Sequence, residues 1–177
     1  MSSIGRGYIQ VYTGSGKGKT TASLGLAFRA VGQGLKVLIL QFLKGPEMTG
    51  ERRAAESFAS HMEVRPFGRD GLLHPGDITE RDRALTEEAL EHAARELTAG
   101  RWDMVILDEL ITACALGLVS VAGVIRLMDI KPQGVELILT GRGAPGEVIE
   151  KADLVTEMKE IKHYFPQGVP AREGIEK

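Results

Sequence analysis

Three short stretches carry residue types that can do chemistry on a polyphosphate. The first is GSGKGKTT, residues 14–21, directly after the apolar run GYIQVYT. Gly14, Gly16 and Gly18 permit tight turns and let backbone N–H groups approach an anion. A helix starting where this stretch ends would aim its positive end at the same place. Lys19 is spaced to reach phosphate oxygens and Thr20 to set a hydroxyl on Mg2+, with Lys17 as a second positive charge. Ser15 and Thr21 complete the candidate binding set. The spacing departs from the usual phosphate loop, G-x-x-x-x-G-K-[ST], because Thr13 stands where the first glycine belongs.

The second stretch is WDMVILDE, 102–109, an apolar strand ending in two carboxylates. Asp108 and Glu109 suit the acid at a strand tip that holds a magnesium shell. The alternative is a pair of helix-capping acids. The third is LILTGRG, 137–143, where Thr140, Gly141 and Arg142 emerge from another strand. Arg142 could clamp phosphate oxygens bidentately, or be an ordinary surface arginine. Arg29, a charge within the first helical pattern, either pairs with a carboxylate or reaches the nucleotide.

Continuous apolar runs supply the elements that must position these groups. VLIL (37–40), MVIL (104–107) and LIL (137–139) read as strands buried on both faces, as in a parallel sheet. YIQVYT (8–13) is a fourth strand and ADLVTEM (152–158) a weaker fifth. Residues 19–31 form a helix, apolar nearly all round, that stops at Gly32 and Gly34. Residues 80–99 carry Leu85, Ala89, Ala93 and Leu97 at helical spacing, with Thr79 and Asp82 as a cap and Gly100 as a stop. Residues 110–129 read as helix broken near Gly117, and Gly146 to Ala152 as a short final helix. Residues 66–79, PFGRDGLLHPGDIT, form one long loop.

Strand and helix in alternation imply an α/β fold, P-loop NTPase-like and RecA-like, with a mostly parallel sheet and helices on both faces. We expect a single domain over residues 1–177, with 159–177 as an extended C-terminal segment. A formal net charge of −2 gives no global reason to expect nucleic acid as partner. One cysteine, Cys114, rules out an internal disulfide and a cysteine-based zinc site, and the four histidines lack metal-ligand spacing. No apolar run is long enough to span a bilayer, and MSSIGRGY lacks an apolar signal core, so the expectation is a cytoplasmic protein without a membrane partner. To this point an ATPase, a kinase or a transferase can be built from the same parts.

The ordered motif set resembles the ATP:corrinoid adenosyltransferases, acting on cob(I)alamin or cob(I)yrinic acid a,c-diamide. The matching pieces are VYTGSGKGKTTASLGLAFRAVG (11–32), QFLKG (41–45), GE (50–51), VILDEL (105–110), LTGRGAP (139–145), ADLVTEM (152–158) and KH…G…A…GIE (162–176). The shortened glycine loop is the usual form in that family, which accounts for the register. The resemblance implies that cobalt(I) attacks C5′ of ATP and tripolyphosphate leaves. It implies Mg2+, with ATP and a reduced corrinoid as substrates, and a nucleotide held in the sense opposite to most P-loop proteins. Lys17, Lys19 and Arg142 would neutralise the leaving triphosphate, while Thr20, Asp108 and Glu109 would hold the metal. A homodimer and a reduced flavoprotein electron donor are further expectations.

Family members place aromatic residues, including a tryptophan, under the corrin in the loop before the long helix. Here that loop offers Phe67, Leu72, Leu73 and His74, and the sole tryptophan, Trp102, opens the VILDE strand instead. Leu72 and Leu73 would then form an apolar floor and Phe67 an aromatic face. The competing readings are a generic P-loop NTPase or small-molecule kinase, with Glu109 as the base, and a regulatory nucleotide-binding module.

Overall fold

A computed structural model describes residues 4–71 and 73–176. Its strands are β1 (Ile9–Thr13), β2 (Val37–Phe42), β3 (Met62–Phe67), β4 (Met104–Asp108), β5 (Glu136–Thr140) and β6 (Leu154–Glu157). They form one sheet in the order β3-β2-β4-β5-β1-β6, every pair parallel. The helices are α1 (Lys19–Gly32), α2 (Gly50–Glu56), α3 (Glu80–Thr98), α4 (Leu110–Ala115), α5 (Val121–Ile130) and α6 (Gly146–Lys151).

The period of two along each strand divides the core in two. Leu38, Leu40, Val105, Leu107, Leu137 and Leu139 pack on one side with α3, α4 and α5. Val37, Ile39, Met104, Ile106 and Ile138 pack on the other, against Ala27 and Ala30 of α1. Both faces of β2 and β4 are therefore covered, which is why these strands read as unbroken apolar runs. Small residues on α1 let it lie close to the sheet, with Ser23, Ala27 and Ala30 all buried.

Two elements were not evident in the sequence. β3 reads MEVRPF, interrupted by charge and proline, because it is an edge strand paired only with β2. Pro66 and Phe67, expected at the start of a long loop, belong to this strand, and residues 75–77 of that loop make a 3-10 turn. The seven residues of α2 bury only Ala55, too little for a visible apolar stripe. The expected break at Gly117 is present: its φ is 72°, between α4 and α5. Thr79 and Asp82 make a reciprocal capping box at the start of α3.

The opposite end of α3 is tied down through Glu96. Its carboxylate accepts from Arg101 Nη2 at 2.6 and 2.7 Å, Trp102 Nε1 at 2.6 Å and Arg65 Nη1 at 3.1 Å. Burial pushes this carboxyl up, but the donors from Trp102, Arg101 and Arg65 outweigh it and hold it at about 2. Trp102 thus joins the helix end to the entry of β4. All-parallel pairing brings the carboxyl ends of the six strands to one edge, where ligands bind in open α/β sheets.

Candidate active site

At that edge the chain leaves β1 through Gly14, with φ of 100°, and enters α1 through Gly18, with φ of 119°. Both values suit glycine and strain other residues. The loop is packed from one side by the segment that follows β6. The Gly16 N–H donates to the Met158 carbonyl at 2.7 Å, and the Met158 N–H donates to Thr13 at 2.8 Å. A Cβ at Gly14 would stand 2.4 Å from the Met158 oxygen, and one at Gly16 would stand 2.8 Å from it. These glycines are required by close approach as well as by torsion.

Lys19 is only 6% exposed, and its ammonium donates to the Gly14 and Gly16 carbonyls at 2.8 and 2.7 Å. Burial, then the charge of Arg142, lowers its pKa from the ordinary lysine value, against the pull of Glu109 and Asp108. The other cation of the loop, Lys17, is exposed and donates to the Ile175 carbonyl at 3.2 Å, so the C-terminal segment reaches the loop. Ser15 and Thr21 are exposed. Gly18 brings no side-chain cap to α1, which leaves its first-turn amides to another acceptor.

Asp108, wholly buried at the tip of β4, is the junction of the site. Its Oδ1 accepts from Thr20 Oγ1 at 2.8 Å and Thr140 Oγ1 at 2.7 Å. Its Oδ2 accepts from Lys44 Nζ at 2.9 Å. The strand order explains this convergence, since β4 lies between β2 and β5 and α1 crosses the same face. Glu109 follows in the left-handed region, with φ of 62°, and its N–H donates to Thr140 Oγ1 at 3.0 Å. Its carboxylate accepts from the Thr112 hydroxyl. Thr112 in turn accepts from the Arg142 N–H at 2.9 Å, linking β4 and β5 exits.

Arg142 is exposed and lines a cleft of about 470 Å³ together with Gly14 and Ser15, with Ile149 and Val155 on its apolar side. Beyond Asp108, Lys44 also lies 3.7 Å from Glu51, which accepts from Gln41 Nε2 at 3.0 Å. Burial opposes the charge on both. Asp108 and then Glu51 still raise the Lys44 pKa, while Gln41, then a backbone N–H, then Lys44 lower that of Glu51.

The structure brings Gly14, Gly16, Gly18, Lys19, Thr20, Asp108, Glu109 and Arg142 to one edge. It does not bring Arg29 there. That residue is exposed in the last turn of α1, about 15 Å of helix rise from Lys19. Phe67 ends β3; it is half-buried, packs against the core and has its ring centroid 5.2 Å from that of His92. Leu73 is half-buried in the loop, and Leu72 lies outside the described residues. Sequence reasoning assigned no role to Lys44, Glu51 or Gln41, although QFLKG and GE were visible as motifs, and Thr112 carried no signal.

The fit of a magnesium ion follows from the donors present. Among the described residues no cluster of three or more His, Cys, Asp or Glu could hold a metal by itself. Thr20 gives its hydroxyl proton to Asp108 and keeps oxygen lone pairs free. That arrangement fits an ion carried on nucleotide phosphates with few protein ligands.

The family model described as ATP:corrinoid adenosyltransferase BtuR/CobO/CobP matches residues 5–176. The chain is 40% identical over 171 residues to a corrinoid adenosyltransferase of Escherichia coli K12, covering 97% of this chain and 86% of that protein. It is 40% identical over 173 residues to a corrinoid adenosyltransferase of Sinorhizobium sp., covering 97% and 80%. A KaiC-like protein of Pyrococcus horikoshii superposes with a TM-score of 0.59 at 15% identity, over 87% of this chain and 72% of that one. The fold is thus P-loop NTPase-like, of RecA-like type, as the alternation of strands and helices implied.

Proposed function

The chain belongs to the ATP:corrinoid adenosyltransferase family, and from that premise we propose that it moves the 5′-deoxyadenosyl group of ATP onto the cobalt(I) of a corrinoid. Cobalt supplies both electrons of the new cobalt–carbon bond. The C5′–O bond breaks with its electron pair on oxygen, and tripolyphosphate leaves. The nucleophile has no proton to lose, so the site needs no general base. Family membership over residues 5–176 carries this reading, and the convergence of the phosphate loop, Asp108 and Arg142 on one edge supports it.

The side chains act by position and charge. Lys19 would exchange its loop carbonyls for phosphate oxygens, and Lys17 and Arg142 would add positive charge where negative charge develops on the leaving group. Thr20, oriented by Asp108, would hold Mg2+ through its oxygen, and Glu109 would add a carboxylate ligand. Bound there, Mg2+ supplies charge neutralisation on the triphosphate. Phe67, at the end of β3, and Leu73, in the segment between β3 and α3, are the described residues we assign to the corrinoid side. A homodimer, a reduced flavoprotein as electron donor and a cytoplasmic setting follow from family resemblance; no described helix is long and apolar enough to cross a membrane.

Anaerobic incubation with Mg-ATP and chemically reduced corrinoid tests the reading. The expected products are a light-sensitive cobalt–carbon species, seen in the visible spectrum, and tripolyphosphate. ADP without alkylated corrinoid would replace this reading with an NTPase or kinase.

A further inference from the structure

We propose that Lys44 is a positioning residue of the nucleotide site, a tethered cation that occupies the second oxygen of Asp108 so that Asp108 acts on Thr20 and not directly on a divalent ion. This rests on the nucleotide-site reading above and adds a residue from outside the phosphate loop.

Geometry carries the inference. A carboxylate offers about four lone-pair sites. On Asp108 three are met by fixed donors: Thr20, Thr140 and Lys44, at 2.8, 2.7 and 2.9 Å. The residue has no exposed surface, so a metal ion reaching Oδ2 must displace the ammonium. The ammonium also faces Glu51 at 3.7 Å, and Glu51 is held by Gln41. The Gln41 side chain is 1% exposed, and its Oε1 has no hydrogen-bond partner among the described residues. Lys44 therefore sits between two carboxylates, Asp108 and Glu51, that would suit a cation.

The backbone is shaped to put it there. Leu43 and Glu109 are the only non-glycine residues with positive φ among the described residues, both at 62°. One immediately precedes Lys44 and the other immediately follows Asp108. Such conformations persist only where the surroundings impose them. The Leu43 N–H donates to the Phe67 carbonyl at 3.0 Å, and a Cβ on Gly68 would stand 2.6 Å from the Lys44 backbone nitrogen. A Cβ on Gly45 would meet Asp70. The turn is clamped from outside by the segment after β3, with the lysine directed onto Asp108.

It follows that the divalent ion arrives with the nucleotide and has little affinity for the protein alone. Removing the lysine charge should uncover Asp108 beside Glu51, creating a divalent site while weakening ATP. A lysine that merely supports the fold would not move these two affinities in opposite directions.

Mn2+ alone is titrated into the wild type, Lys44→Arg and Lys44→Met, following the electron paramagnetic resonance of the free ion; ATP binding without divalent ion is measured by calorimetry. The wild type and Lys44→Arg should bind Mn2+ weakly and alike. Lys44→Met should bind it at least tenfold tighter and ATP at least tenfold weaker. Equal Mn2+ affinity in the wild type and Lys44→Met overturns the proposal. So does tight Mn2+ binding by the wild type, which needs no variant and leaves the nucleotide reading standing if ATP still binds. If Lys44→Met melts too early to titrate, the comparison becomes the rise in melting temperature on adding Mn2+. A larger rise in the variant than in the wild type supports the proposal, and equal rises overturn it. Failure of the wild type to bind ATP at all overturns the proposal and the nucleotide reading together.

Discussion

Thr140→Val replaces one oxygen by a methyl group at the centre of the site. In the wild type the Thr140 hydroxyl donates to Asp108 at 2.7 Å and accepts from the Glu109 N–H at 3.0 Å, with no exposed surface. Valine keeps the shape and abolishes both bonds. A hydrogen bond to an ionised carboxylate contributes roughly 1.5–3 kcal/mol, and an orphaned polar group costs about 1–3 kcal/mol. The added methyl group recovers about 0.8 kcal/mol by burial. The net loss is about 3 kcal/mol, or a fall in melting temperature of roughly 6–12 °C for a chain of this size. Thr140→Ser is the control, since it keeps the hydroxyl and should lose only about 1 kcal/mol for the missing methyl. Urea unfolding at pH 7 and calorimetry measure both. If Thr140→Val were as stable as Thr140→Ser, the hydroxyl would not hold the strand ends together. A double variant with Asp108→Ala should be less destabilised than the sum of the singles, because both remove the same bond.

Other outcomes follow from neighbouring geometry. Lys19→Ala should lower kcat/KM for ATP by at least about a hundredfold, as expected for a preorganised charge at a leaving group, with an unchanged far-ultraviolet circular dichroism spectrum; normal adenosyl transfer would remove Lys19 from the site. Glu96, held at about 2 against an ordinary 4.5, contributes stability that is fully present above pH 4.5 and lost as pH falls toward 2. Its contribution is on the order of 3 kcal/mol at most. Glu96→Gln should therefore be less stable than the wild type at pH 7, and the gap should narrow from about pH 4.5 downward and close only as pH reaches about 2 in urea titrations. Leu73→Ser should leave ATP affinity unchanged and slow the corrinoid reaction several-fold; unaltered corrinoid kinetics would remove Leu73 from the corrinoid side.

The parts that sequence alone determined are those encoded by neighbours along the chain. Unbroken apolar runs at 37–40, 104–107 and 137–139 specify strands covered on both faces, whatever covers them. The glycines of the 14–18 loop, Lys19 and Thr20 are read together because strand, loop and helix are consecutive. Thr79 and Asp82 cap α3 within one turn, so their partnership was legible too. What only the tertiary structure decided depends on strand order and on contacts distant in sequence. β5 inserts between β4 and β1, which puts Thr140 within reach of Asp108 and Glu109. β2 lies on the other side of β4, which delivers Lys44 to Asp108 across 64 residues. β3 escaped notice because an edge strand tolerates Pro66 and charge, and its membership of the sheet turned Phe67 from a loop residue into core packing. Local patterns state what each segment must bury or turn. The partner of a buried polar atom is set by which strands become neighbours, and no local pattern contains that.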